Sequence, residues 1–399
     1  MVALALALPP GLAHASFPGQ SGRIAFARSG NPPDAWGIYT VSPGSSNATR
    51  LTTQGTRPSW SPDGRRIAFE GPAEFSNQSQ PRGIFVMRAD GTQLRRLTDS
   101  RWDSCPSWAP GGRRIAYTTA VGNPPAGVPP ASVRFEAYTI GVDGGSPKRL
   151  TNVGSRGRPS CPVWSPKGDK IAFTLTPSVS PGSPPGPAAS PDVYVVGSGG
   201  GNVRKLTRSG GRDPDWSPDG TRIAFVREFA RLLSSVYVMR ADGSGAKEVP
   251  NTYEGGHNVE DVVWSPDGRR LLVFASLSSA GRIFSFFTIN PDGSRKTREP
   301  IGGPIAGISW QPLDPVPPNT RITAGPAGAT RSRAATFHFT STEAASTFEC
   351  KLDGGRWTLC RSPKTYRTLA TGSHTFRVRA QDPAGNVDRT PAVRSWRVR

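Results

Sequence analysis

One short pattern returns along most of this chain, and it constrains the fold more than any other feature. Arg57-Pro-Ser-Trp60-Ser-Pro-Asp63-Gly64-Arg-Arg-Ile67-Ala68-Phe69 recurs from Cys105 to Tyr117, and again around Trp164, Trp216 and Trp264. A shortened copy ends at Trp310-Gln311-Pro312. Successive tryptophans are 48, 56, 52, 48 and 46 residues apart. A period of this length signals stacked supersecondary units: a propeller, a solenoid or an array.

Each unit contains four strand-like runs. In the unit of Trp60 they are residues 57–60, 66–70, 83–88 and 94–98. The middle two are rich in Ile, Val and Phe, which suit a pleated, half-buried surface. Asp-Gly pairs at the hairpins supply the positive φ that tight turns need. Four antiparallel strands per unit predict a propeller blade. The chain opens on the second run of a unit, residues 23–28, and its last copy, residues 305–310, offers a first run alone. The expectation is six blades, with the last segment completing the first sheet and removing two exposed edges. Pro58, Pro106, Pro162 and Pro214, each two residues before the tryptophan, fit an innermost edge strand, because proline donates no ladder hydrogen bond. The tryptophans read as core, and Asp63, Asp219 and Asp267 as turn residues.

The repeated P-x-W-S-P-D-G-x-x-I-A-F, followed by a DG turn and R-L-T, resembles the TolB-type propeller repeat over residues 20–313. The resemblance implies an exported, ring-shaped binding platform, as TolB docks envelope proteins of the Tol–Pal system. Related propellers also serve as gating domains of serine peptidases and as pectate-degrading lyases.

Residues 314–319 form a Pro-rich linker. Beyond it, residues 320–399 carry short alternating strands around 336–340, 347–352, 374–380 and 394–398, as expected of an immunoglobulin-like β-sandwich. The string F-E-C-K-L-D-G-G-x-W-x-x-C, then G-x-H-T-F-x-V-R-A, resembles a bacterial Ig-like domain and implies an adhesive or spacer module. The whole reading is all-β: a six-bladed β-propeller closed without a covalent bond, followed by this sandwich.

At the other end, an alternating Ala/Leu run precedes Ala13-His14-Ala15. A short apolar run with a small-x-small site reads as a signal peptide, residues 1–15, cleaved before Ser16. The absence of a basic n-region reads as a truncated start. Export permits disulfides. Cys350 and Cys360 flank one short loop and are expected to bond, with about 3 kcal/mol from closing it. Cys105 and Cys161 each stand three residues before a repeat tryptophan in adjacent units. A bridge between them requires Cα atoms within about 7 Å; two small buried thiols are the alternative.

The formal charge is +20, carried by 41 arginines and 8 lysines against 29 acidic residues. The last 81 residues hold 14 basic and 5 acidic residues, so the tail is more basic per residue than the rest. Either it attracts an anionic cell-wall polymer, or arginine is favoured by codon bias. Nucleic acid is disfavoured: basic residues are scattered and no recognised motif appears. No mature segment has the roughly 20 apolar residues of a membrane span.

No Gly-x-Ser-x-Gly elbow, His-Glu-x-x-His or Walker loop occurs. Cys-x-x-Cys is also absent, and beyond residue 15 the histidines are His257, His338 and His374, so neither metal nor cofactor is expected. The expected site is a binding face on the rim where the fourth-to-first and second-to-third connections lie. Arg57, Trp102, Asp103, Arg158, Arg212, Asp213, Asp215, His257, Glu260 and Asp261 are the candidates there. Arginine on early blades and carboxylates on later ones predict a dipolar channel mouth for a protein or peptide partner; mutually satisfied surface charges are the alternative. Trp102 breaks the repeat and stands as the aromatic contact. The function expected is non-catalytic, secreted or periplasmic binding at the cell envelope. A polysaccharide lyase or hydrolase at the channel mouth is the alternative, with His257 its test residue.

Overall fold

The computed structural model describes residues 16, 19–28, 36–71, 83–124, 132–178, 190–230, 233–253, 257–277, 283–303, 305–313, 317–343, 346–381 and 386–399. The expected signal peptide, much of the long second-to-third connections and part of the linker lie outside them. The chain divides into two compact units, Met1–Leu313 and Asp314–Arg399.

Among the described residues the first unit holds six four-stranded antiparallel sheets. The sequence dictates each in the same way. In the second sheet Thr56–Trp60, Arg66–Gly71, Gly83–Arg88 and Arg95–Arg96 follow one another from inside to outside. Trp60 pairs with Ile67 and Ile67 with Met87, so the apolar residues share one face. The hairpin between the first two strands is closed by the S-P-D-G string. Asp63 Oδ1 accepts from the Arg65 N–H at 3.2 Å, and Gly64 adopts a φ of 65°. Asp219 and Asp267 accept equivalent bonds, which makes the turn aspartates structural. The threonine of R-L-T has a comparable task. Thr98 Oγ1 accepts the Ile84 N–H at 2.8 Å, and Thr52, Thr151, Thr207 and Thr252 repeat the contact, tying the outermost strand's exit back to the third strand.

The first sheet is completed from the far end of the unit. Ile305–Leu313 lies antiparallel to Gln20–Arg28, with Ile24 opposite Trp310, Ala25 opposite Ser309 and Phe26 opposite Ile308. The innermost strands contact one another in ring order: 305–313, 56–60, 104–108, 157–164, 212–216, 257–264 and back to 305–313. Trp60, Trp108, Trp164, Trp216, Trp264 and Trp310 are all buried between the sheets.

Hydrogen bonds between innermost strands alternate around the ring. The Trp60 N–H donates to Ser309 Oγ, the Trp164 N–H to Ser107 Oγ, and the Trp264 N–H to Asp215 Oδ2. At two intervening junctions the indole serves instead: Trp108 Nε1 donates to the Ser59 carbonyl and Trp216 Nε1 to that of Val163. The repeat therefore carries its own inter-sheet fastening.

The second unit pairs a three-stranded sheet (Thr320–Ala324, Ala335–Ser341, Lys364–Tyr366) with a five-stranded one (Ala329–Thr330, Ala392–Val398, Gly372–Gln381, Thr347–Leu352, Thr358–Cys360). Phe337, Phe339, Phe376, Val378 and Trp396 form its core. Cys350 and Cys360 are bonded.

Candidate functional site

Three residues before each repeat tryptophan, the innermost strand leaves regular β geometry. Its pairing with the second strand shifts register there in five sheets and one residue earlier, at Glu260, in the sixth. In five of them the residue has left-handed φ: Arg57 (50°), Cys105 (53°), Cys161 (48°), Asp213 (54°) and Gly307 (99°). Positive φ is uncommon outside glycine, and a bulge of this kind re-aims a side chain. Here it brings neighbouring sheets together at the axis. Cys105 and Cys161 are bonded with Cα atoms 4.8 Å apart. A Cβ on Gly307 would lie 2.7 Å from the Cα of Arg57.

Charged residues on the fifth and sixth innermost strands follow from the same bulge. Asp213, Asp215 and Asp261 are fully buried. They are enclosed in the wall of the ring, whereas the sequence reading expected them at the channel mouth. Arg212 pairs with Asp213, reaches Glu228 at 3.5 Å, and donates to the Val259 and Glu260 carbonyls at 2.8 and 3.0 Å. Burial pulls its guanidinium down, and Asp213, Glu260 and Glu228 together lift it above the ordinary value. Asp261 Oδ1 accepts the Val262 N–H at 2.8 Å, while Oδ2 has no partner among the described residues. Burial, reinforced by Asp213 and Asp215, raises its pKa well above the carboxylate range. Asp215 Oδ2 accepts the Trp264 N–H at 2.7 Å and lies 2.6 Å from Ser16 Oγ. Burial pushes its pKa up to about 8. Arg57 pairs with Glu70 at 2.7 Å. Arginine and carboxylate thus mix within one sheet, where segregation by blade had been expected. Glu228, which sequence reasoning missed, lies in the second strand of the fifth sheet, with nothing local to mark it as a partner for Arg212.

The remaining candidates sit farther out. Trp102 is half-buried. Its Nε1 donates to the Pro124 carbonyl at 2.9 Å, and its ring meets Phe135 edge-on at 5.8 Å. Arg158 is exposed and lies 3.7 Å from the centroid of Phe135. Trp102, Phe135 and Arg158 therefore form one cluster across the third and fourth sheets. Near it lies a groove of about 670 Å³, lined by Asp99, Ser100, Asp103, Tyr117, Thr119 and Tyr138 among others, and a second groove of about 870 Å³ is lined by other residues. The larger groove lies on the opposite rim, among the turns at Asp267 and Asp292. Burial raises the pKa of Asp103 against hydrogen bonds from Thr119 and Thr98. Burial also raises the Tyr117 hydroxyl, with Asp103 adding to it. Glu260 is half-buried, and His257 opens the innermost strand of the sixth sheet with its side chain outside the described part. No group of three or more His, Cys, Asp or Glu placed to hold a metal ion occurs among the described residues.

No family model matches the chain. The Tol-Pal system protein TolB of Francisella tularensis subsp. mediasiatica is 26% identical over 235 residues, 58% of this chain and 49% of that protein. The uncharacterized peptidase YuxL of Bacillus subtilis is 28% identical over 121 residues, 30% of this chain and 17% of that protein. The chain therefore spans half or less of the length of these curated relatives. Among solved structures, TolB from Acinetobacter baumannii superposes with a TM-score of 0.58 at 18% identity, covering 73% of this chain and 67% of that one. With the periodic tryptophans and the ring of sheets, these likenesses show the first unit to be a β-propeller similar in fold to TolB.

Proposed function

We propose that this chain is an exported, non-catalytic binding protein that engages a protein or peptide partner through one rim of its propeller at the cell envelope. The 235-residue likeness to a Tol-Pal system protein carries the reading. The chemistry of the axis supports it. Arg212 is held by Asp213, Glu228 and two carbonyls, so its charge secures the wall. Trp102 and Arg158, backed by the buried Phe135 and flanked by the groove at Asp103, offer the mixed aromatic, cationic and polar surface that protein contacts favour. Two disulfides suit an oxidising compartment. Among the described residues no helix is long and apolar enough to cross a membrane. The likeness to YuxL covers 17% of that protein and speaks for shared blades.

Crosslinking and pull-down from the native secretome test the proposal. The intact protein is expected to capture a discrete partner, and a Trp102→Ala/Arg158→Ala variant with unchanged melting temperature is expected to lose at least tenfold of it. Capture unaffected by both substitutions would remove this rim from consideration. Turnover of a polysaccharide that disappears in His257→Ala would replace the binding reading with the lyase or hydrolase one.

A further inference from the structure

The contact between Ser16 and Asp215 joins residues 199 positions apart, and the binding reading does not use it. Ser16 is 4% exposed and Asp215 is fully buried. Ser16 Oγ lies 2.6 Å from Asp215 Oδ2 and 2.9 Å from the carbonyl oxygen of Trp264. The Ser16 backbone nitrogen, three bonds from that Oγ, is thereby held close to the carboxyl group. Asp215 Oδ1 has no hydrogen-bond partner among the described residues.

A carboxyl group is not needed here to fasten the sheets. At the two equivalent junctions Ser309 and Ser107 accept the tryptophan N–H. Asp215 does the same work at the third, with an added cost of desolvation. The charges facing it do not supply a cation. Asp261 and Asp213 add negative charge nearby, and Arg212 is already bonded to Asp213 and to the Val259 and Glu260 carbonyls. A buried acid in that position calls for a positive group. The serine whose side chain bonds to it is the residue directly after Ala13-His14-Ala15, a small-x-small sequence of the kind a signal peptidase cuts.

We propose that hydrolysis of the Ala15–Ser16 peptide bond delivers the new α-ammonium group of Ser16 to Asp215, making the mature amino terminus a buried ionic latch between the fifth and sixth sheets. Water supplies the balance. Its oxygen joins the Ala15 carbonyl carbon, which leaves as a carboxylate, both of its protons end on the Ser16 nitrogen as the C–N bond breaks, and Asp215 releases its own proton to solvent as the ion pair forms. While Ser16 remains in peptide linkage, Asp215, with its pKa of about 8, is mostly protonated at neutral pH. After cleavage the nitrogen of this serine, whose Oγ already bonds to Asp215, becomes a cation. An α-amino group ordinarily titrates near 7.7–8.0, and the pair keeps both partners charged. The final propeller is therefore more stable than its precursor, and the gain arrives with processing.

The test compares three proteins at pH 7: the full chain, a chain starting at Ser16 after enzymatic removal of a fusion, and one starting at Ala15. The Ser16 chain is expected to have an unfolding equilibrium constant at least tenfold smaller than the other two. In an Asp215→Asn background, where the side-chain oxygen can still accept the Trp264 N–H, the three are expected to agree within twofold. Independently, the α-amine of the folded Ser16 chain is expected to react with an acylating reagent at pH 8 at least tenfold more slowly than after unfolding. This second readout decides the matter should Asp215→Asn fail to fold. No advantage for the Ser16 start, an advantage that survives Asp215→Asn, or an amine that reacts at the unfolded rate would each overturn the proposal.

Discussion

At the residue scale, the position three before each tryptophan determines what can happen at the axis. Gly307 is the member of that set with no side chain, because the Arg57 backbone occupies the space a Cβ would need. Its φ of 99° adds a second penalty for any other residue. Gly307→Ala is expected to lower the unfolding free energy by about 1–3 kcal/mol, read by chemical denaturation; an unchanged midpoint would show that the ring is looser at its axis than described. In the second unit His374 offers a pH test. The Ala370 carbonyl and then Asp353 raise its pKa in the folded state, so protonation favours folding. That contribution is complete below the ordinary histidine value near 6.5 and is lost as pH rises through the higher folded value. The second unit is expected to lose stability as pH rises above about 6.5, and His374→Gln to flatten that slope. A slope that survives the substitution would assign it to another group.

At the element scale, three local devices recur among the sheets, and the second sheet has all of them: the tryptophan, the S-P-D-G turn and the threonine of R-L-T. All three were legible in the sequence because they recur with a common period. The Cys105–Cys161 bond was foreseeable as a possibility for the same reason, since equivalent positions of adjacent sheets meet near the axis. What the sequence could not display was burial. Asp213, Asp215 and Asp261 look like mouth residues in a linear reading, and the bulge turns them into the wall. The Ser16–Asp215 contact had one faint signal, an aspartate where Ser107 and Ser309 stand in other units. Its partner lay outside the repeat altogether. Two predictions belong here. Removing the Cys105–Cys161 bond by a double serine substitution opens a 56-residue loop, and about 4 kcal/mol is expected to be lost. Equilibrium denaturation without reductant checks it, and a loss below about 1 kcal/mol would show that the unfolded chain gains little freedom there. Trp216→Ala empties a site at which the side chain is 1% exposed and its Nε1 bonds to Val163. A loss of about 3–5 kcal/mol is expected, with both neighbouring sheets losing hydrogen-exchange protection together.

At the scale of the whole molecule, the ring depends on one long-range pairing. Ile305–Leu313 and Gln20–Arg28 are separated by nearly the full unit, yet they are neighbours in one sheet. Without this pairing the first sheet would present an open edge to solvent, and the fourth-to-first connections would have no common rim to build. The proposed contact surface at Trp102 and Arg158 and the proposed latch at Asp215 both presuppose a closed ring. Native-state hydrogen exchange followed by mass spectrometry tests that closure most directly. Peptides spanning residues 20–28 and 305–313 are expected to exchange together, and as slowly as the interior strand Arg66–Gly71. Exchange of either peptide orders of magnitude faster than that strand would contradict the closed ring.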